Sequence, residues 1–197
     1  MTDSTATVRP AARADLTAVA AIYRHYVLHS VATFDEVPRS LEDWELRHGE
    51  LTARGLPFLV AEEAGQVLGF AYAGPWRPKP AYRHTVEDTV YLAPGATGRG
   101  LGGALLGGLI EGCERAGARR MIAVVALPAE DDSGSGPSEE RPGASAPGAS
   151  GAASLALHRR FGFADAGRLT AVGYKHGRWL DTLLLERALA GNGTCAR

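Results

Sequence analysis

The chain has 197 residues, 45% of them hydrophobic, and a formal net charge of −1. That is enough apolar material for one globular domain with a sizeable core. The near-neutral balance argues against a nucleic-acid footprint or a basic membrane-surface patch, and without a run of about 18 apolar residues no membrane span is expected. The polar stretch Met1 to Thr7 lacks the apolar centre of a secretory signal, so a cytoplasmic location is expected. Two cysteines, Cys113 and Cys195, and six histidines make neither a disulfide framework nor a metal-ligand spacing, so no metal is expected.

In chain order, Val8 and Arg9 begin a first strand that Pro10 stops. Asp15 is placed to cap a helix carrying Leu16, Val19, Ala20, Tyr23, Tyr26 and Val27 on one face. Val31 to Phe34 form a short loop. Ser40 and Asp43 have the spacing of a capping box for a second helix with Leu41 and Trp44. Pro57 precedes a strand over Phe58–Glu62, Ala64-Gly65 supply a hairpin turn, and Val67 to Ala73 return until Gly74-Pro75 break the strand. A loop with Arg77, Lys79 and Tyr82 follows.

Thr89 to Leu92 are β-branched, aromatic and apolar, which suits a half-buried strand. Pro94 and Gly95 end it. Gly98, Gly100, Gly102 and Gly103 then open a helix with Leu101, Leu105, Leu106, Leu109 and Ile110 at helical spacing. Met121 to Ala126 read as another strand and Ala153 to Phe161 as a helix. Gly167–Tyr174 and Trp179–Glu186 form a last hairpin through Lys175-His176-Gly177. Residues 129–152 are almost wholly Ala, Gly, Ser, Pro, Glu and Asp, too poor in apolar surface to offset ordering entropy. They read as a disordered insert in a single domain spanning residues 1–190, with 191–197 as a tail. Helices mixed with an antiparallel-capable sheet argue for an α/β or α+β fold.

A glycine-rich turn at a helix N-terminus can cradle a phosphate, because its backbone N–H groups converge on the helix's positive end. Gly98-Arg99-Gly100-Leu101-Gly102-Gly103 is neither a P-loop nor a dinucleotide fingerprint, and a helix entry without a ligand would look the same. The carboxylate of Glu87, at the other end of the strand, adds a candidate base.

Together these residues resemble the GNAT superfamily of N-acetyltransferases. Its acetyl-CoA motif, Gln/Arg-x-x-Gly-x-Gly/Ala, falls on Thr97-Gly98-Arg99-Gly100-Leu101-Gly102. Within the superfamily the chain is similar to the phosphinothricin (methionine sulfoximine) acetyltransferase branch. Ala71 to Trp76, Ala81-Tyr82, Thr85 to Tyr91 and Gly173 to Trp179 carry that match, which runs from Val8 to Leu185 apart from the insert. The resemblance implies the GNAT fold, a mixed central sheet flanked by helices, with acetyl-CoA as cosubstrate and no metal. It also implies a homodimer and a role in antibiotic or herbicide resistance.

The resemblance further assigns roles. Glu87 is the base that takes the amine's proton, a task suited to a carboxylate whose pKa burial has raised. A backbone N–H near Leu92 meets the oxyanion. Thr97, Gly98, Arg99, Gly100, Leu101, Gly102, Gly103 and Ser154 hold the coenzyme, and His158 is the acid for the leaving thiolate. Phe34, Arg77, Lys79, Tyr82 and Tyr91 line the acceptor pocket, the two cations serving an acidic substrate. Read without the resemblance, His158 fits a structural histidine, Arg77 and Lys79 a solvated basic loop, and Phe34, Tyr82 and Tyr91 core packing. The chain departs from the family at Thr97, where Gln or Arg is usual, and at Gly151, where Asn is common. The order of Arg77 and Lys79 is also inverted. The implied reaction is acetylation of the α-amino group of a small amino-acid analogue such as phosphinothricin or methionine sulfoximine. A different small amine, or a non-catalytic acyl-CoA-binding module, are the alternatives.

Overall fold

The computed structural model describes residues 6–129 and 149–190. Its strands are β1 (Thr7–Pro10), β2 (Phe58–Glu63), β3 (Gln66–Pro75), β4 (Thr85–Leu92), β5 (Arg120–Pro128), β6 (Ala164–Lys175) and β7 (Arg178–Ala188). Its helices are α1 (Leu16–His29), α2 (Leu41–Ala53), α3 (Leu101–Arg115) and α4 (Ala149–Arg160). Residues 130–148 of the expected insert and the tail 191–197 lie outside the described residues.

Local chemistry explains most boundaries. Ser40 Oγ accepts the Asp43 N–H at 3.1 Å while Asp43 Oδ2 accepts the Ser40 N–H at 2.8 Å, the reciprocal box that starts α2. The β2–β3 turn places Ala64 and Gly65 at φ of 51° and 81°, the left-handed pair that a two-residue hairpin needs. His176 and Gly177 repeat it between β6 and β7, at 52° and 77°.

Several expectations change. Asp15 does not cap α1 with its side chain. Its carboxylate turns back to accept from the Ala12 N–H at 2.7 Å and from Arg9 at 2.7 and 2.9 Å, so it ties β1 to the helix entry. Pro75 does not stop β3. It pairs with Val86 at a position where no ladder N–H is required, since the neighbouring Trp76 N–H supplies the bond to Thr85. β4 begins at Thr85, so Glu87 lies inside the strand and not ahead of it. α4 begins at Ala149, before the expected Ala153.

The strands form one sheet in the order β1-β2-β3-β4-β5-β7-β6. Every neighbouring pair is antiparallel except β4 and β5. α3 and α4 cover one face, where Leu105, Leu106, Leu109, Met121 and Leu185 form a buried cluster. α1 and α2 cover the other, where Leu16, Val19, Trp44, Leu51 and Phe70 form a second. The sheet thus separates two cores, and β4, near its middle, presents alternate side chains to each.

Candidate active site

β4 sorts its side chains by the pleat. Tyr91, Thr89 and Glu87 pair with Phe70, Tyr72 and Gly74 and face the α1/α2 side. Asp88 faces the α3/α4 side, where its Oδ2 lies 2.9 Å from His158 Nε2 on α4. The pleat thus points the two neighbouring acids apart.

The parallel ladder between β4 and β5 is short. Thr85, Val86 and Glu87 pair with Arg120, Met121 and Ile122, and beyond them β5 continues on β7 alone. The two strands therefore part at Glu87. The Ala93 N–H donates to the Leu68 carbonyl at 2.8 Å, which makes 93 and 68 a hydrogen-bonded pair. By antiparallel alternation, the N–H groups of Val90 and Leu92 then point to the side of β4 that β5 has left. The Leu92 carbonyl accepts from the Tyr26 hydroxyl at 2.8 Å, which holds the strand exit in place.

Electrostatics separate the two acids. Glu87 is half-buried and no hydrogen bond reaches its carboxylate among the described residues. Burial, and then the neighbouring charge of Asp88, push its pKa up, with Arg47 and Arg77 opposing. Asp88 is sealed, and its second oxygen, Oδ1, has no hydrogen-bond partner among the described residues. His158 Nδ1 lies 2.7 Å from the Ser154 carbonyl, so with Asp88 on Nε2 both ring nitrogens can donate. Burial works against charge on this ring, but the Asp88 carboxylate outweighs it and raises the imidazole pKa.

Of the acceptor-side residues, Arg77 acts on the Glu87 charge. Arg77 is exposed and lies over the Trp76 ring at 4.8 Å. Lys79 precedes a short 3-10 turn (Pro80–Tyr82) that Tyr82 ends, and both are exposed. Phe34 sits on a loop held by three bonds. Tyr91 Oη donates to the Ala32 carbonyl at 3.1 Å, Lys175 Nζ donates to the Thr33 carbonyl at 2.7 Å, and Tyr23 Oη meets Thr33 Oγ1 at 2.8 Å. Gly173 of β6 lies flat under the Phe34 ring, where a Cβ would collide. Tyr91 thus has a definite task, fastening the loop that carries Phe34.

The glycine turn is left-handed at Gly95, Gly98 and Gly100, with φ of 81°, 77° and 80°. Gly100 is the N-cap of α3, so the first free N–H groups of the helix point out of the turn. Thr97 is exposed beside them. Arg99 is paired with Glu63 at 2.6 Å. Gly103 serves the neighbouring helix: a Cβ there would lie 2.7 Å from Arg160 Nη2. Ser154 directs its hydroxyl to His158 at 3.3 Å. Gly151 is buried against β5, where a Cβ would stand 2.8 Å from the Ala126 carbonyl oxygen, so a larger residue does not fit this arrangement.

The model of the acetyltransferase (GNAT) family matches residues 19–132. The chain belongs to this family. It is 43% identical over 188 residues to a phosphinothricin N-acetyltransferase of Alcaligenes faecalis, covering 95% of this chain and 85% of that one. It is 37% identical over 182 residues to an L-methionine sulfoximine/L-methionine sulfone acetyltransferase of Pseudomonas aeruginosa, covering 92% and 93%. Among solved structures, a phosphinothricin acetyltransferase from Sinorhizobium meliloti in complex with acetyl-CoA matches with TM-score 0.81 and 42% identity, over 98% of this chain and 92% of that one. The mixed sheet flanked by helices is the GNAT fold, and acetyl-CoA is the cosubstrate its structural neighbours hold.

Sequence reasoning about this acetyltransferase passed over three residues. Asp88 carries no task in the sequence, although in the structure it anchors His158. Lys175 lies in the block Gly173 to Trp179 with no task that spacing could assign, yet it is buried and pins the Phe34 loop. Arg47 was not singled out, because on α2 it is one charge among many. The signal that could have found it is Gly74, a residue without a side chain directly across from the candidate base. No helix among the described residues is long and apolar enough to cross a membrane.

Proposed function

We propose that this acetyltransferase moves the acetyl group of acetyl-CoA to the α-amino group of a small amino-acid analogue, phosphinothricin or methionine sulfoximine. The observation that carries the reading is Glu87, a half-buried carboxylate with a raised pKa and free lone pairs, beside Arg77, at the point where β4 and β5 part. The activities named for the similar proteins support the choice of substrate.

The chemistry follows from the residues. Glu87 accepts a proton from the substrate's ammonium, directly or through water, and frees the lone pair on nitrogen. That nitrogen attacks the thioester carbon, and the negative charge gathering on the carbonyl oxygen is met by the Leu92 N–H. The C–S bond breaks as the tetrahedral intermediate collapses, the nitrogen sheds its second proton to give the neutral amide, and that proton neutralises the coenzyme thiolate. Arg77 and Lys79 hold the acceptor's acidic group, and Phe34 and Tyr82 bound it. The N–H groups at the start of α3, with Gly98 and Gly100, take the coenzyme pyrophosphate. His158 is sealed in its pair with Asp88, so we assign it the task of holding β4 against α4 and not that of acid for the thiolate.

A thiol-release assay over a panel of amino acids tests the reading. Turnover confined to phosphinothricin, methionine sulfoximine and their near analogues is the expected result. Acetyl-CoA binding with no release for any amine would leave a non-catalytic binding module. The reading includes a homodimer, supported by Leu169, Val172, Tyr174 and Trp179, apolar side chains that the β6–β7 hairpin leaves exposed. Light scattering checks it. It also includes a cytoplasmic location, as the charged cosubstrate does not diffuse across membranes, and fractionation of cells checks that.

A further inference from the structure

A concavity of about 350 Å3 runs along α2, lined by Arg39, Asp43, Leu46, Arg47 and Glu50. Its two arginines are held differently. Arg39 is committed: its Nε donates to Asp35 at 3.3 Å, and its guanidinium lies 5.6 Å from the ring centres of both Tyr23 and Trp44. Among the described residues no carboxylate lies within hydrogen-bonding distance of Arg47. Glu50 approaches it only to 3.9 Å and is itself largely exposed.

Arg47 is nevertheless fixed in place. Its guanidinium stacks over the Tyr72 ring at 5.3 Å, and its Nε is buried with no hydrogen-bond partner among the described residues. It lies over Gly74, where a Cβ would stand 2.6 Å from Nη2. Gly74 is the register partner of Glu87, and side chains at such paired positions leave the sheet about 5 Å apart on one face. The guanidinium therefore sits beside the candidate base, held by an aromatic face and by the space a glycine leaves, with donors unused. It also opens into the α2 concavity.

Two guanidinium groups thus approach Glu87 from different elements, Arg77 from the loop before β4 and Arg47 from α2. The α-carboxylate of an amino acid needs one of them. A second suits an acceptor whose side chain is itself an anion. We propose that Arg47 is a specificity-determining residue of the acceptor site, receiving the phosphinate or carboxylate on the side chain of an amino acid whose α-amino group lies at Glu87. A planar two-donor fork suits either group. The proposal rests on the N-acetyltransferase reading above.

The test compares phosphinothricin, with its anionic side chain, and methionine sulfone, neutral and of similar length. In Arg47→Met the ratio of kcat/KM for phosphinothricin to that for methionine sulfone falls roughly tenfold or more. Any effect of Arg47 on the proton affinity of Glu87 acts on both substrates and cancels in the ratio. Gly74→Ala, which displaces the guanidinium without removing its charge, moves the ratio the same way by less, and serves if Arg47→Met does not fold. An unchanged ratio in the folded variants, with both substrates turned over by the parent, overturns the assignment of Arg47 and leaves the enzymatic reading intact. A parent that acetylates neither substrate overturns both.

Discussion

Glu87 and Asp88 are adjacent carboxylates on one strand in opposite surroundings. The pleat sends Asp88 into the α3/α4 core, where it is buried and bound to His158 at 2.9 Å. It sends Glu87 to the α1/α2 face, where it stays half-open and without a hydrogen bond among the described residues. A sealed charge survives only if it is paired, and Asp88 is committed to His158 through Oδ2. A half-open carboxylate raised by burial keeps its lone pairs for a proton. One strand thus carries a buried, paired acid on one face and, on the other, the half-open acid proposed as the base.

The sharpest way to break this contrast is Glu87→Gln. If Glu87 alone is the base, kcat for amine acetylation falls about 10²–10⁴-fold while acetyl-CoA affinity, measured by calorimetry, stays near the parent's. Unchanged turnover would transfer the base role elsewhere.

Asp88→Asn should do the reverse, harming the fold more than the reaction. Removing one partner of a buried ion pair costs about 3–5 kcal/mol, and the loss should fall toward the lower end because the imidazole can give up its proton. Thermal denaturation reads it. The same variant removes the negative charge that raises the pKa of Glu87, so the acid limb of kcat moves to lower pH. In the parent, His158 titrates above its unfolded value of 6.5. Its stabilisation is full below that value and is lost as pH rises through the folded one, so the melting temperature should decline across that window and Asp88→Asn should flatten the decline.

Arg77→Ala and Lys79→Ala probe what surrounds the open acid. Each charged hydrogen bond is worth roughly 1.5–3 kcal/mol, so KM for the amino-acid acceptor should rise about tenfold or more while KM for acetyl-CoA moves far less. If acceptor KM stays put in both, the loop is only a solvated face. The smallest effect is expected from Arg99→Ala. Its guanidinium is paired with Glu63 at the surface, so KM for acetyl-CoA should stay close to the parent's. A marked rise would mean that Arg99 leaves Glu63 for a coenzyme phosphate.

Much of this architecture was legible in order along the chain. Ser40 and Asp43 announce α2 because a capping box is a local exchange of two hydrogen bonds. Ala64-Gly65 and His176-Gly177 mark hairpins because a tight turn constrains only its own dihedral angles. The Gly95 to Gly103 turn and the alternation of Glu87 with Asp88 were equally local, and so was the family resemblance they carry. Boundaries slipped where a neighbour overrode propensity. Pro75 stays in β3 because its missing N–H faces no ladder partner, and Asp15 abandons α1 for Arg9 because an ion pair from another element outweighs a cap.

Which residues stand around each acid could not be read in order, since it depends on contacts between segments far apart in the chain. His158 reaches Asp88 from 70 positions away, and Lys175 reaches Thr33 from 142. Arg47 belongs beside Glu87 only because α2 packs across a glycine on β3. Periodicity and spacing report what one element does to itself. Pairing and burial of charge, and hence which acid is sealed and which stays half-open, arise only when the sheet brings separate elements onto its two faces.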